Sequence, residues 1–486
     1  MSDTVSLAPG AEGQATASAR PVGTIAQITW ASGSFATGAL FNAMALFALF
    51  VMTSFLGISP ALAGTIILVA RIYDGIIDPL IGALSDRTHH RWGPRRIYLL
   101  VGALALGASF ALFFNLSALG LEGSAAAFAA TALLLLYSTA YSIFTIPYLA
   151  MPPDIAPGYD ARTRLMSFRV FFLLAGVTAG SAGAPALVEA FGTAEAGYRA
   201  MGAVLGLAAA GLCLIVFLGA ARLPSPDRPA PPGRLDARAL LVSPFTDTAR
   251  VFAHAPFRLL TLVKLCQLAV LSTVLACTPY FFGLVLGLGT ARIGVYFGVF
   301  SIAGIVSVPP WRWVIARFGK RETYLVLLVG YGAGLASWFA WAPGEPEWLL
   351  YARAVLIGAF STGTLLCALA MLPDTMEYDR LASGEGREGV MSGVFTFVEN
   401  VAGALGPFIV GLLLESSGLV TGQGPDVVQP PAVLEAVQWG VSIVPAAFCL
   451  AALPLLWRYR LDERTLEVMR KGRERGKGPE GPEMTV

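Results

Sequence analysis

The sequence is poor in charge: Asp, Glu, Lys and Arg make up only 13% of its 486 residues, about half the share of a soluble domain. It also has few residues of the kinds that hold metals or staple small secreted domains. Five cysteines are present, with no C-x-x-C pair among them, and three histidines. Cys213, Cys266, Cys277, Cys367 and Cys449 all fall in apolar runs, so they read as small lipid- or helix-facing side chains, not as disulfides or zinc ligands. His89, His90 and His254 lie in loop-like segments, which argues against a histidine proton relay inside an apolar core. G-x-x-x-x-G-K-[ST], G-x-S-x-G and H-E-x-x-H patterns are all missing. The usual marks of an ATPase, an α/β-hydrolase or a zincin are missing with them. No cofactor or metal is implied, and an enzyme is the least expected reading.

Apolar sequence fills the chain instead. Hydrophobic residues make up 56% of it, and the mean hydropathy is +0.68. These values exclude a soluble enzyme, a disordered chain and a nucleic-acid binder. They point to an all-α polytopic membrane protein, because twelve spans of about 20 residues use roughly 240 positions. Apolar segments run at about 26–56, 61–84, 97–118, 125–150, 168–191 and 200–221. A second set runs at about 257–286, 292–315, 323–342, 348–372, 390–415 and 434–459. The expected plan is a tail over 1–25, six helices over 26–221 and a Pro-rich charged linker over 222–256. Six more helices over 257–459 and a tail over 460–486 complete it. The first tail lacks the charged-then-apolar pattern of a cleavable signal peptide.

Basic residues suggest the orientation. Arg87, Arg91, Arg95 and Arg96 follow the second segment, Arg162 and Arg164 follow the fourth, and the linker and final tail hold many more. Loops near 56–60, 116–124, 343–347 and 416–433 hold no Lys or Arg. The positive-inside rule then places both termini in the cytoplasm of a cell (inner) membrane protein, and twelve spans satisfy that parity. The two sets also resemble each other. Arg91-Trp-Gly93-Pro-Arg95 recurs as Arg317-Phe-Gly319-Lys-Arg321, 226 positions later. Met151-x-Pro153-Asp154 recurs as Met371-x-Pro373-Asp374, 220 positions later. Tandem six-helix repeats with a site between them describe major facilitator transporters.

The second segment holds the sharpest chemical signal, Arg71-x-x-Asp74-x-x-x-Asp78-Pro-x-x-Gly82. At 100° per residue these four positions share an arc of roughly 80° on one helix face. An acid at the centre of a membrane helix costs about 2.5–3.5 kcal/mol, so two cost roughly 5–7 kcal/mol, and Arg71 can neutralise only one. One reading has both carboxylates facing a cavity, where they bind a coupling cation or proton. The other has them in a buried ion-pair cluster that locks helices together. The basic turn after this segment, with Asp86, Arg87, Arg91, Gly93 and Arg95, reads as a cytoplasmic gate and anchor.

R-x-x-D-x-x-x-D-P-x-x-G, followed by D-R-T and R-W-G, resembles the signature of the glycoside–pentoside–hexuronide:cation symporters, the melibiose-carrier branch of the major facilitator superfamily. Pro147-Tyr148-x-Ala150-x-x-Pro153-Asp154 with Arg162-Thr163-Arg164 resembles the family's loop between helices 4 and 5. Asp374-x-x-Glu377-Tyr378 with Gly386-Arg387-Glu388-Gly389 resembles its loop between helices 10 and 11. The resemblance covers about residues 25–460. It implies a twelve-helix fold in two six-helix bundles and a symporter of a small-molecule solute working by alternating access as a monomer in the lipid bilayer.

Carried over by position, Asp74 and Asp78 match the family's cation-binding carboxylates. A position between them that often supplies an oxygen is Ile77 here, which tilts the expectation toward H⁺ over Na⁺. The family's sugar-binding acids of helices 1 and 4 fall at Ser34 and Thr139, and a helix-11 Lys falls at Asn400, beside Glu399. Those departures speak against ordinary galactoside transport. Tyr137, Tyr141, Thr145 and Tyr148 on the fourth segment, and Lys264 and Gln267 on the seventh, are further cavity candidates, with packing as the plain alternative. The expected solute is a sugar, glycoside or sugar acid. An amphipathic solute such as a lysolipid, and a non-transporting sensor on the same fold, are the alternatives.

Overall fold

The computed structural model describes residues 23–220 and 252–474, except 89, 94, 157–158, 192–193, 253, 343, 384–387, 425–426 and 462. Nearly all of the expected linker, most of the first tail, about half of the second, and Arg387 lie outside the described residues. Among the described residues, twelve helices are long and apolar enough to cross a bilayer, and the first six are α1 Thr24–Ser54, α2 Pro60–Arg87, α3 Arg96–Phe114, α4 Gly123–Leu149, α5 Ala161–Glu189 and α6 Glu195–Ala220. The second six are α7 Ala255–Val285, α8 Thr290–Phe318, α9 Lys320–Ala340, α10 Glu347–Ala382, α11 Val390–Ser416 and α12 Pro431–Arg458. Helices are what such apolar runs must form, since only a helix satisfies its own backbone polar groups in lipid. Proline stands at the first turns of α2, α7 and α12, where its missing N–H costs little, and also inside several spans, as at Pro79, Pro147 and Pro407.

All twelve expected segments form, and several run longer than their apolar stretch: α2 takes in Asp86 and Arg87, and α8 takes in Arg317. Helix α5 begins before Arg162 and Arg164, and α10 carries Asp374 and Glu377 on its continuing turns. These residues were expected in loops. The apolar run marks the hydrocarbon crossing, not the helix end, and nothing between Tyr159 and Arg169 is Gly or Pro to stop the turn.

Both sets of six pack alike. Helix α3 packs on α4 and α6 as α9 packs on α10 and α12, and α1 packs on α5 as α7 packs on α11. The repeat extends to detail. Gly93 and Gly319 hold φ of 99° and 91°, a left-handed turn that any side chain would strain. Beside them Arg95 Nη1 donates to the Ala150 carbonyl at 2.5 Å, and Lys320 Nζ donates to the Ala370 carbonyl at 3.2 Å.

The halves meet along α2/α11, α1/α7 and α5/α8. Several hydrogen bonds between halves lie at the end opposite the Arg-rich turns. There the Thr53 and Tyr280 hydroxyls meet at 2.6 Å. Gly422 N donates to Thr53 O at 2.9 Å and Gly424 N to Ser54 O at 3.0 Å. Two carboxylates cap helices of the opposite half. Ala61 N, at the start of α2, donates to Glu415 Oε2 of α11 at 3.2 Å. Ala291 N, at the start of α8, donates to Glu189 Oε2 of α5 at 2.5 Å. Glu189 and Glu415 are again 226 positions apart. Each satisfies one of the amide donors that a helix start leaves unpaired and sets negative charge on the positive end of the helix dipole. Glycine permits the close approach of α2 and α11. A Cβ at Gly64 would stand 2.8 Å from Pro407 O, and one at Gly411 would stand 2.4 Å from Pro60 O.

Candidate functional site

The acids of α2 turn toward α4. The two helices run parallel, and Ser138 and Ser142 of α4 repeat the four-residue spacing of Asp74 and Asp78. Ser142 donates to Asp78 Oδ1 at 2.5 Å, and the Ser138 hydroxyl faces Asp74. Arg71 Nη1 donates to Asp74 Oδ2 at 3.2 Å while its guanidinium lies 4.5 Å from the centre of the Phe41 ring. Among the described residues, the second oxygen of Asp74 is buried with no hydrogen-bond partner and Asp78 makes no ion pair. One acid is therefore neutralised within its own helix and the other is held by a hydroxyl alone. Burial makes an uncompensated carboxylate expensive. Tyr137, Tyr141 and Phe41 form an aromatic wall beside it, with ring centres 6.0 Å apart along the row. The Tyr137 and Thr145 hydroxyls in this wall are also buried without partners.

Other candidates are placed elsewhere. Ser34 and Tyr148 are each 1% exposed and bond to each other at 3.0 Å. Tyr148 also donates to Trp30 O at 3.0 Å and stacks on the Trp30 ring at 4.5 Å. That is packing between α1 and α4, away from the acids. Thr139 meets Tyr73 at 2.9 Å and donates to Leu135 O. Gln267 is engaged elsewhere, donating to Thr364 at 2.9 Å and accepting from Tyr324 at 3.0 Å. Lys264, by contrast, pairs with Glu399 of α11 at 3.5 Å. Asn400, next to it, is half-buried.

The residues expected at the gate and anchor make these contacts within their own half. Asp86 accepts from Arg95 at 2.8 Å, Arg91 lies over Trp92, and Asp374 accepts from Lys320 at 2.5 Å. Arg87 reaches the end of α2, and Arg162 is exposed. The side chain of Asp154 lies outside the described residues, although its backbone forms a single turn over Pro152–Ile155.

Two features escaped the sequence reading. The paired serines of α4 were visible in their spacing, which matches that of the acids. Arg169 was visible as a lone base in the apolar stretch of α5. Its Nε is buried without a partner, on the side of α5 that faces Tyr148. Among the described residues no group of three His, Cys, Asp or Glu is placed to hold a metal ion.

Comparison with known proteins now bears on this arrangement. The family described as "MFS/sugar transport protein" matches residues 29–463. A glucuronide carrier protein homolog of Escherichia coli (strain K12) is 26% identical over 463 residues, covering 90% of this chain and 94% of that protein. The isoprimeverose transporter of Lactiplantibacillus pentosus is 25% identical over 447 residues, covering 90% and 88%. Among solved structures, a D-xylose-proton symporter superposes with a TM-score of 0.63 at 14% identity, covering 90% of this chain and 97% of that one. The last likeness is one of fold.

Proposed function

The chain belongs to the MFS/sugar transport protein family, and from that premise we propose that it couples the passage of a sugar, glycoside or sugar acid to a cation through Asp78. It is a multi-pass membrane transporter with the twelve-helix major facilitator fold, and its relatives are carriers and transporters, not enzymes. Its two six-helix bundles rock about a site between them, and it works as a monomer with both termini in the cytoplasm of the inner membrane. In that orientation the end sealed by Glu189 and Glu415 faces outward and the conformation is inward-facing.

One observation carries the coupling role. Asp74 has Arg71, whereas Asp78 has only the Ser142 hydroxyl. A cation at Asp78 cancels the remaining charge and favours the occluded, loaded state, and this difference in affinity between states drives the cycle. A single proton suffices for that, and Ile77 adds no oxygen, so H⁺ is preferred over Na⁺. The serine oxygens near the two acids support the sodium alternative.

Thermal stability of the purified full chain between pH 5 and pH 9, with and without Na⁺ or Li⁺, tests the assignment. A ligand that binds only the folded state raises the midpoint. Proton coupling predicts a pH-dependent midpoint, indifferent to sodium and flattened in Asp78→Asn. Sodium-specific stabilisation lost in Asp78→Asn would make the coupling ion Na⁺. A midpoint that responds to neither ion would leave the acids as structural partners.

A further inference from the structure

An anionic group on a solute needs a cation inside the helix bundle to receive it, and among the described residues Lys264 of α7 is a buried base inside a membrane-spanning helix, paired with Glu399 of α11.

The Lys264–Glu399 pair shows where the anion would sit. Its two members differ sharply in exposure, with 2% of the Lys264 side chain exposed against 35% of that of Glu399. Lys264 is buried, with the Phe395 ring 5.9 Å away, and Gln267, one turn on, already donates to Thr364 and accepts from Tyr324. Glu399 is free on one side to turn away. Their 3.5 Å contact is longer than the roughly 2.7–2.9 Å of a charge-assisted hydrogen bond. One turn before Lys264, the Thr261 hydroxyl is fully buried with no partner. A buried ammonium must stay paired, so anything that draws Glu399 away must bring its own negative charge.

We propose that Lys264 is the receptor for an anionic group, a carboxylate or sulfonate, on the transported sugar, and that Glu399 is the resident counter-ion this group displaces. The proposal rests on the symporter reading and names its solute class. Exchange of one anion for another keeps Lys264 neutralised at every stage and ties specificity to the half opposite the cation site.

The test compares matched sugars on the purified full-length chain, with methyl β-glucuronide against methyl β-glucoside and galacturonate against galactose, read as the thermal midpoint. The acidic member of each pair is expected to raise the midpoint and the neutral member to leave it unchanged. Lys264→Met should abolish the response. Glu399→Gln, which keeps shape but removes the competing charge, should lower the apparent Kd for the acidic sugar about tenfold. If Lys264→Met does not fold, the Glu399→Gln comparison decides alone. Equal stabilisation by neutral and acidic sugars, weaker acid binding in Glu399→Gln, or no response to either acid overturns the proposal. The Asp78-dependent response to pH or sodium is measured on the same samples. Its persistence would show that the symporter reading survives such a result.

Discussion

Removing both trans caps should open the sealed end. In Glu189→Ala and Glu415→Ala, the α8 and α2 starts each lose a carboxylate acceptor at 2.5 Å and 3.2 Å. Loss of an N-cap costs about 1 kcal/mol, so the double variant loses about 2 kcal/mol of the closed arrangement. At about 1.4 kcal/mol per tenfold, the closed-to-open ratio falls roughly fivefold in each single variant and about 30-fold in the double. The two sites share no partner, so their effects should add. Spin labels on introduced cysteines at Leu119 and Val428, which are 68% and 93% exposed at that end of opposite halves, report the separation directly. All five native cysteines are buried and need not be removed. The longer-distance population should grow from wild type through the single variants to the double. If the double variant keeps the wild-type distance distribution, the carboxylates do not hold the end closed and the reasoning fails.

Further outcomes follow from the same contacts. Tyr280→Phe removes the hydroxyl pair with Thr53 and should cost about 1 kcal/mol, seen as a lower thermal midpoint and a partly opened distance distribution. Gly411→Val places side-chain atoms where even a Cβ lies 2.4 Å from Pro60 O. The sealed end should then fail to form, and transport should stop while the protein still reaches the membrane. Ser142→Ala deletes the hydrogen bond to Asp78 and should change the ion response of the midpoint, with Ser142→Thr restoring it. In the loop between α9 and α10, the Arg353 guanidinium holds the Glu345 carboxyl below its usual range. That pair adds stability above the ordinary Glu range and loses it as pH falls through the depressed value, so Glu345→Gln should flatten the acid side of the stability profile.

Residue order alone makes some of this legible. Twelve apolar runs become twelve helices because lipid leaves the backbone no other choice, and the spacing of Asp74 and Asp78 already puts them on one face. Helix ends were less legible, since α5 and α10 extend as polar helix beyond the apolar run that announces them. Partners were least legible, because contact is set by packing and not by chain distance. Ser142 meets Asp78 across 64 positions and Lys264 meets Glu399 across 135. Ser34, chosen as a cavity residue by motif register, and Tyr148, chosen by its helix face, satisfy each other across 114 positions. Motif position gives the helix on which a side chain stands, and only the neighbouring helices decide whether its polar atoms are already occupied.

Each half leaves the start of one helix unfinished, and the other half completes it through Glu189 or Glu415. Either half made alone would expose an unmet amide array and an apolar flank, which makes it a poor free-standing unit. Paired with its complement it regains both at once. Two fragments cut between residues 221 and 251 and produced together should therefore find each other in the bilayer and restore activity. Two copies of the same fragment should not substitute for the pair, because each carboxylate fits the helix start of its complement. The repeat of one six-helix plan has in this way made the two halves mutually dependent.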